Sequence, residues 1–489
     1  MSERIGTRRV VATAGVLGGT FLGAIETTVV AAAMPTVADQ LGGLSYYSWV
    51  FSAYLLTSTV SIPLWGKLSD LYGRRRFYLW CIGVFLVGSA LSGAAQTMPQ
   101  LILFRALQGF GAGGLLPLGM SILGDLYTPE ERGRMQGQLS GVWGVASIVG
   151  PLTGGYITEL FSWRWVFYLN IPFGVAAAVA VGCALRDRTA GERRAVDYAG
   201  AALLVTAVTL LVLALSGSGL DGGGEGSTPW VLPAYAGAVG FGVLLVRVER
   251  RAAEPMVPLD LLSDRMVAAV AGIGLLVGVA MFSAISYVPL FVQEGLDGSA
   301  VEAGRALTPL ILGWVVMSVI TGRVVQRIGY RPMVLTGLLC VTLGFLGLTR
   351  IDGQSSVWLL RADLALMGAG MGMTMLSLVL AMQNVVAHRH LGVATSFGQF
   401  TRSIGGAVGV ALLGGVIARA LPVGQEPTGA EMTIAIHRAF WFATVVSGVA
   451  LVSAIRIPAG LPADLVHAEH APDVSPQETG GVRQEAGEA

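Results

Sequence analysis

Apolar stretches of about twenty residues follow one another through nearly the whole chain, separated by short polar or glycine-rich segments. A helix needs ~20 apolar residues to cross a bilayer. Windows of that kind fall near residues 10–35, 46–65, 77–95, 99–124, 135–158, 165–185, 197–217, 229–248, 266–292, 304–322, 333–350, 358–383, 394–421 and 438–457. The pattern predicts an all-α polytopic membrane protein with fourteen transmembrane helices. GKLSDLYGRRR (66–76) and GRVVQRIGYRP (322–332) are copies of one loop, each following the second span of a six-span block. A cytoplasmic N-terminus is therefore expected over 1–9, a six-helix bundle over 10–190, two inserted helices and a cytoplasmic loop over 191–260, and a second six-helix bundle over 261–457. The segment 458–489 is polar and too poor in apolar residues to bury a core, so a disordered cytoplasmic tail is expected.

Composition supports this reading. Of 489 residues 54% are hydrophobic and 12% charged, with a mean hydropathy of +0.68, too apolar for a soluble domain and too long for one span. A net charge of +1 gives no reason to expect a nucleic-acid partner. Most arginines lie in alternate loops, with Asp39, Asp221, Glu225, Glu294, Asp297 and Asp352 in the others. The positive-inside rule then puts both termini in the cytoplasm. Cys81, Cys183 and Cys340 fall in separate spans and suggest no disulfide framework. His388, His390, His437, His467 and His470 all lie in expected loops or the tail, so neither a metal centre nor a cofactor is expected.

The chemistry sits within the spans. Glu26 is the one ionisable residue between Val10 and Pro35. A charge at bilayer mid-depth costs about 2.5–3.5 kcal/mol on insertion scales, so this carboxyl must be protonated, paired or facing water. Glu26 could instead be a packing residue bonded to Thr27, Thr28 or a neighbouring helix. Arg105, in LILFRALQGFGAGG, is a buried cation under the same constraint. The spacing Gly109-x-Gly111-x-x-Gly114 matches a dinucleotide fingerprint, but no strand precedes it, and helix packing explains it better. Gly150, Pro151, Gly154 and Gly155 combine a kink with close helix approach. In the first loop copy Gly66, Asp70, Gly73 and Arg74 form a candidate conformational latch, with Arg389 and then Arg402 as cationic partners of Asp70. Arg402 could also pack beside a hydrated cavity against a backbone carbonyl.

Taken together, the first loop copy, the Arg105 helix and the Gly150–Pro151 helix resemble the major facilitator superfamily. WRWVFYLNIPFG (163–174) and IETTVVAAAMP (25–35) narrow the resemblance to its fourteen-helix drug:proton antiporter family. In that family the span-one motif usually reads L-D-x-T-V-V-N-V-A-L-P; here Glu26 replaces Asp and Ala31 replaces Asn. The resemblance implies a major facilitator fold, two six-helix bundles plus two extra helices. It also implies proton coupling through Glu26 and Arg105, and an antiporter helix at Gly150, Pro151, Gly154 and Gly155.

The expected activity is proton-coupled efflux by alternating access of lipophilic compounds, cationic ones among them, from a monomer in a bacterial cytoplasmic membrane. A dedicated exporter or flippase of a lipid or a single antibiotic is the alternative. An apolar, aromatic pocket with few polar anchors would suit such substrates, and Trp49, Tyr54, Gln108, Gln138, Trp143, Tyr287, Trp314 and Met371 are the candidates. For each aromatic taken singly, anchoring at the membrane interface is the commoner role. Protons, lipophilic small molecules and the lipid bilayer are thus the expected partners. No enzyme activity is expected. An ATP-driven pump lacks support, because a phosphate loop needs Gly-Lys-Ser/Thr and the one lysine, Lys67, precedes Leu68.

Overall fold

The computed structural model describes residues 2–43, 46–127, 129–185, 198–220, 230–251, 264–352, 354–385, 391–421 and 428–460. The tail expected beyond residue 457 lies almost wholly outside them, as does Arg389. Among the described residues the fold is entirely helical. The first half comprises α1 (Ser2–Leu41), α2 (Tyr47–Tyr72), α3 (Arg74–Ala94), α4 (Met98–Leu126), α5 (Pro129–Leu160), the short α6 (Arg164–Tyr168) and α7 (Asn170–Ala184). Next come α8 (Tyr198–Leu220) and α9 (Val231–Glu249). The second half comprises α10 (Arg265–Leu290), α11 (Ala300–Ile328), α12 (Tyr330–Leu348), α13 (Val357–Val385), α14 (Leu391–Ala420) and α15 (Gly429–Ser453).

Eleven helical segments among the described residues are long and apolar enough to cross a membrane, with α6 and α7 forming one of them. This is a multi-pass membrane protein, but the count is eleven rather than the fourteen expected. The three remaining windows coincide with α2, α5 and α8. Within α8 the described side chains form the apolar stretch Ala202–Leu215.

The packing pattern of the first half recurs in the second. Helix α4 packs on α2 and α3, and α13 on α11 and α12; α1 packs on α5, and α10 on α14. The repeated loop carries the same backbone feature twice. Gly73 (φ 105°) ends α2 and opens α3, and Gly329 (φ 94°) ends α11 and opens α12. A positive φ strains any residue with a Cβ, which explains glycine at both corners.

The halves meet along two seams, α5 on α11 and α2 on α14. Helix α8 lies across the second seam, touching α2 and α14, and α9 leans on α8. At the seams small residues decide how close the helices come. A Cβ on Gly155 would strike the Ala300 carbonyl oxygen (2.5 Å), and one on Gly304 would strike that of Pro151. Hydrogen bonds then join the halves near the helix ends that carry Asp39 and Glu294. The Thr36 hydroxyl donates to Gln293 Oε1 (2.9 Å) and Gln293 Nε2 to the Ala32 carbonyl (3.0 Å). The Tyr47 hydroxyl donates to the Ser286 carbonyl (2.6 Å), and Arg305 to the Tyr156 hydroxyl (2.6 Å).

Candidate functional site

The buried polar centre of the first half is assembled by four helices. Arg105 and Gln108 are three residues apart on α4 and so share a face. Glu26 comes from the middle of α1, Ser89 from α3 and Asn170 from the first position of α7. Glycine spacing makes this convergence possible. A Cβ on Gly88 would overlap the backbone of Gln108, so α3 and α4 approach backbone to backbone beside Ser89. Gly109 and Gly113 serve the α2 side of α4 in the same way, and Gly111 and Gly114 the α3 side, so the run that mimics a nucleotide fingerprint is a packing device. The break between α6 and α7 has a local cause too. Pro172 has no N–H to continue the helix from Tyr168, and the interrupted turn presents Asn170.

Glu26 and Arg105 form an ion pair in which each side chain is only 1% exposed. Arg105 Nη1 donates to Glu26 Oε1 and also to Gln108 Oε1 (2.7 Å). Asn170 Nδ2 donates to the other carboxylate oxygen, Oε2 (2.5 Å), and to Ser89 Oγ (2.9 Å). Gln108 Nε2 donates to the same hydroxyl (3.1 Å), which itself donates to the Phe167 carbonyl (2.9 Å). The Arg105 guanidinium lies 4.2 Å from the Tyr54 ring centroid, a cation–π contact in a water-poor setting. Arg105 Nε is buried and meets no acceptor among the described residues. Both Glu26 oxygens are therefore engaged, while the cation keeps a second acceptor, Gln108, and an unused donor. An arrangement of this kind can hold the carboxylate charged or release it without leaving the arginine wholly unpaired.

Thr27 and Thr28, the alternative partners of Glu26 within α1, do not take part. Thr27 and Thr28 donate to the carbonyls of Ala24 and Ile25 in their own helix. Two of the pocket candidates, Tyr54 and Gln108, belong to the ion-pair centre, where they hold Arg105. The other candidates are dispersed. Trp143 on α5 and Trp314 on α11 are half-buried, Met371 is fully buried on α13, Trp49 is half-buried and Gln138 is exposed. Tyr287 is buried in the second half, its hydroxyl donating to the Val410 carbonyl (2.6 Å).

Of the latch residues, Arg74 pairs with Asp125 at the end of α4 (2.5 Å) and donates to the Ser121 carbonyl (2.9 Å). The side chain of Asp70, like Arg389, falls outside what is described. Gly66 is helical within α2, with open space where its Cβ would be. Arg402 bonds the Gln399 side chain one turn earlier on α14. His437 is not in a loop: it lies in the third turn of α15 and its Nε2 bonds the Ile351 carbonyl (2.8 Å). Gly150 and Gly154 press on Thr28 and Val29 of α1, while Pro151 and Gly155 press on α11, so this motif joins the Glu26 helix to the seam.

Two residues of the centre, Asn170 and Ser89, escaped sequence reasoning, as did Asp125, the partner of Arg74. Asn170 had a signal, an amide two residues before a proline in an apolar span. Ser89 had none, since serine is ordinary in glycine-rich membrane helices.

Residues 16–410 match the sequence profile of the Major Facilitator Superfamily. The multidrug transporter protein MdtP of Bacillus subtilis (strain 168) is 39% identical over 412 residues, which cover 84% of this chain and 76% of that protein. Multidrug resistance protein 3 of the same organism is 34% identical over 403 residues, 82% of this chain and 78% of the relative. Among solved structures, an auto-inhibited peptide transporter of the POT family superposes with a TM-score of 0.62 at 16% identity, covering 94% of this chain and 97% of that one. At that identity the likeness speaks to the fold alone.

Proposed function

This chain belongs to the major facilitator superfamily, and on that premise we propose that it is a multidrug exporter of the fourteen-helix drug:proton antiporter family. The names of its relatives, a multidrug transporter and a multidrug resistance protein, support multidrug export; within that reading the substrates are lipophilic compounds, cationic ones among them. The observation that carries the coupling is the Glu26–Arg105 pair, buried to 1% exposure and adjoining Asn170 and Gln108.

A proton arriving on Glu26 cancels the carboxylate charge and weakens its hold on Arg105. Gln108 then keeps the guanidinium paired through Nη1. Deprotonation restores the ion pair. Because α5 touches both α1 and α11, a change at Glu26 has a short packed route to the seam between the halves. A ligand or proton shifts this equilibrium only by its difference in affinity between the two states. One charge crossing 100 mV is worth ~2.3 kcal/mol, so one proton per cycle sustains a roughly fifty-fold gradient of a neutral compound.

In this reading both termini face the cytoplasm, the protein works as a monomer in a bacterial cell membrane, and α2, α5 and α8 complete the fourteen spans. The seam hydrogen bonds near Asp39 and Glu294 then belong to an outer closure.

The test is uphill, uncoupler-sensitive efflux in membrane vesicles, comparing the parent with Glu26→Gln. Gln keeps the size and one acceptor oxygen but cannot titrate. The variant is expected to lose coupled efflux while still exchanging substrate downhill; uphill efflux at the parent rate would remove Glu26 from the coupling role.

A further inference from the structure

Arg402 stands inside an apolar helix with no carboxylate to balance its charge. It lies five residues into the membrane-spanning part of α14, Phe397–Ala420, about 8 Å from its start at 1.5 Å per residue. Among the described residues its side chain bonds the neutral Gln399 side chain and takes part in none of the ion pairs. A guanidinium carries five N–H donors and stays charged, and an intramembrane cation persists where it meets a counter-charge or a water-filled path. Arg402 is half-buried, so part of it reaches open space.

The packing of α14 shows which space that is. Gly405 and Gly409 press on Leu275 and Val279 of α10, and the Ser52 hydroxyl of α2 donates to the Ala407 carbonyl (3.2 Å). At 3.6 residues per turn, Gln399 and Arg402 fall on the arc between these two faces, with Gly406, which meets the Phe282 ring of α10. Ile404, on the other arc, joins the cluster that holds Leu204 and Val208 of α8. Because α10 and α2 belong to different halves, Arg402 faces the interval between the halves. Towards the seam hydrogen bonds that interval is closed: the Tyr287 hydroxyl reaches the Val410 carbonyl, and its ring lies 5.7 Å from that of Tyr47. Arg402 lies about 12 Å from Val410 along α14, on the side away from this closure. The flanking helices supply no counter-charge at its depth. There is no acid in α10 from Arg265 to Leu290 or in α14, and none in α2 before Asp70. Asp70 is 18 residues from Ser52, about 27 Å along α2, whereas Arg402 is only about 8 Å from Ala407.

We propose that Arg402 recognises the carboxylate of an anionic or zwitterionic lipophilic substrate, with Gln399 steadying the guanidinium and Phe282 beside the apolar body. On the efflux reading, on which this assignment rests, it adds a charge class to the substrates. A carboxylate matches the guanidinium fork with two parallel N–H bonds, and it cancels a cation that nothing else on this wall compensates.

The experiment is equilibrium dialysis near neutral pH of the full-length protein in phosphatidylcholine nanodiscs against pyrenebutyrate or its uncharged amide, with empty nanodiscs subtracted. The parent is expected to bind the acid about ten-fold tighter than the amide, the effect of one charge-assisted hydrogen bond. Arg402→Gln should remove the preference and leave the amide affinity in place. Arg402→Lys, which keeps the charge without the fork, should keep a preference of about three-fold. Equal binding of the two compounds by the parent, no binding of the acid, or a parent-like preference in Arg402→Gln would each overturn the assignment. If Arg402→Gln does not fold, Arg402→Lys decides, and an undiminished preference there would overturn recognition by the fork. No gradient is present in dialysis, so a failure here is told apart from a failure of the Glu26→Gln efflux test.

Discussion

Replacing Arg105 by methionine would leave the Glu26 carboxylate at 1% exposure with only Asn170 to bond it. Breaking a buried ion pair from one side costs about 3–5 kcal/mol, mostly because the remaining charge is neither solvated nor paired. Glu26→Gln strands the guanidinium in the same way, although its amide oxygen can still accept from Nη1. The double variant buries neither charge. What it retains is the lost cation–π contact with Tyr54, about 1–2 kcal/mol, and one unsatisfied amide group, about 1–3 kcal/mol. The sum of the single losses should therefore exceed the double loss by about 3 kcal/mol, on the order of a hundredfold in the unfolding equilibrium. Unfolding in mixed dodecylmaltoside–SDS micelles, followed by tryptophan fluorescence for all four proteins, measures this. Single losses that add to within about 0.5 kcal/mol would show that the two residues do not act as a pair, and the coupling scheme would lose its basis.

At the seam, Gly155→Val places carbon where the Ala300 carbonyl now sits, and it should pry α5 from α11. A cysteine introduced at Thr36 should then react faster with an impermeant maleimide; an unchanged rate would mean that this contact does not hold the closure. Ser89→Ala removes the acceptor of the Gln108 amide and should lower stability by about 1–3 kcal/mol, read in the same micelle titration, where no loss would show that the hydroxyl is dispensable. Asp125→Asn should change stability by less than about 1 kcal/mol, because its pair with Arg74 is 34% and 43% exposed and solvent screens it. A larger loss, or arrested transport, would give that pair the latch role expected of Asp70.

The all-helical fold and the membrane location were legible along the chain, because bilayer thickness fixes helix length and each span reports its own apolarity locally. Glu26 and Arg105 were legible for a related reason. A charge in an apolar run is costly wherever the run ends up, so each stands out without knowledge of its neighbours. Their pairing across 79 residues was not legible, and neither was the place of Ser89 and Asn170 between them. Serine and asparagine are cheap enough in a membrane helix to occur for many reasons, and only packing shows which hydroxyl and which amide meet. The same limit applies to Tyr54 and Gln108, whose residue types suit a drug pocket as well as a cation clamp; the turn of α2 and α4 toward Arg105 selected the clamp. Composition sets what each helix can bury, whereas the partners of a buried polar group depend on rotation and depth relative to other helices, and those are settled only when glycine faces such as Gly88 and Gly155 let the helices close on one another.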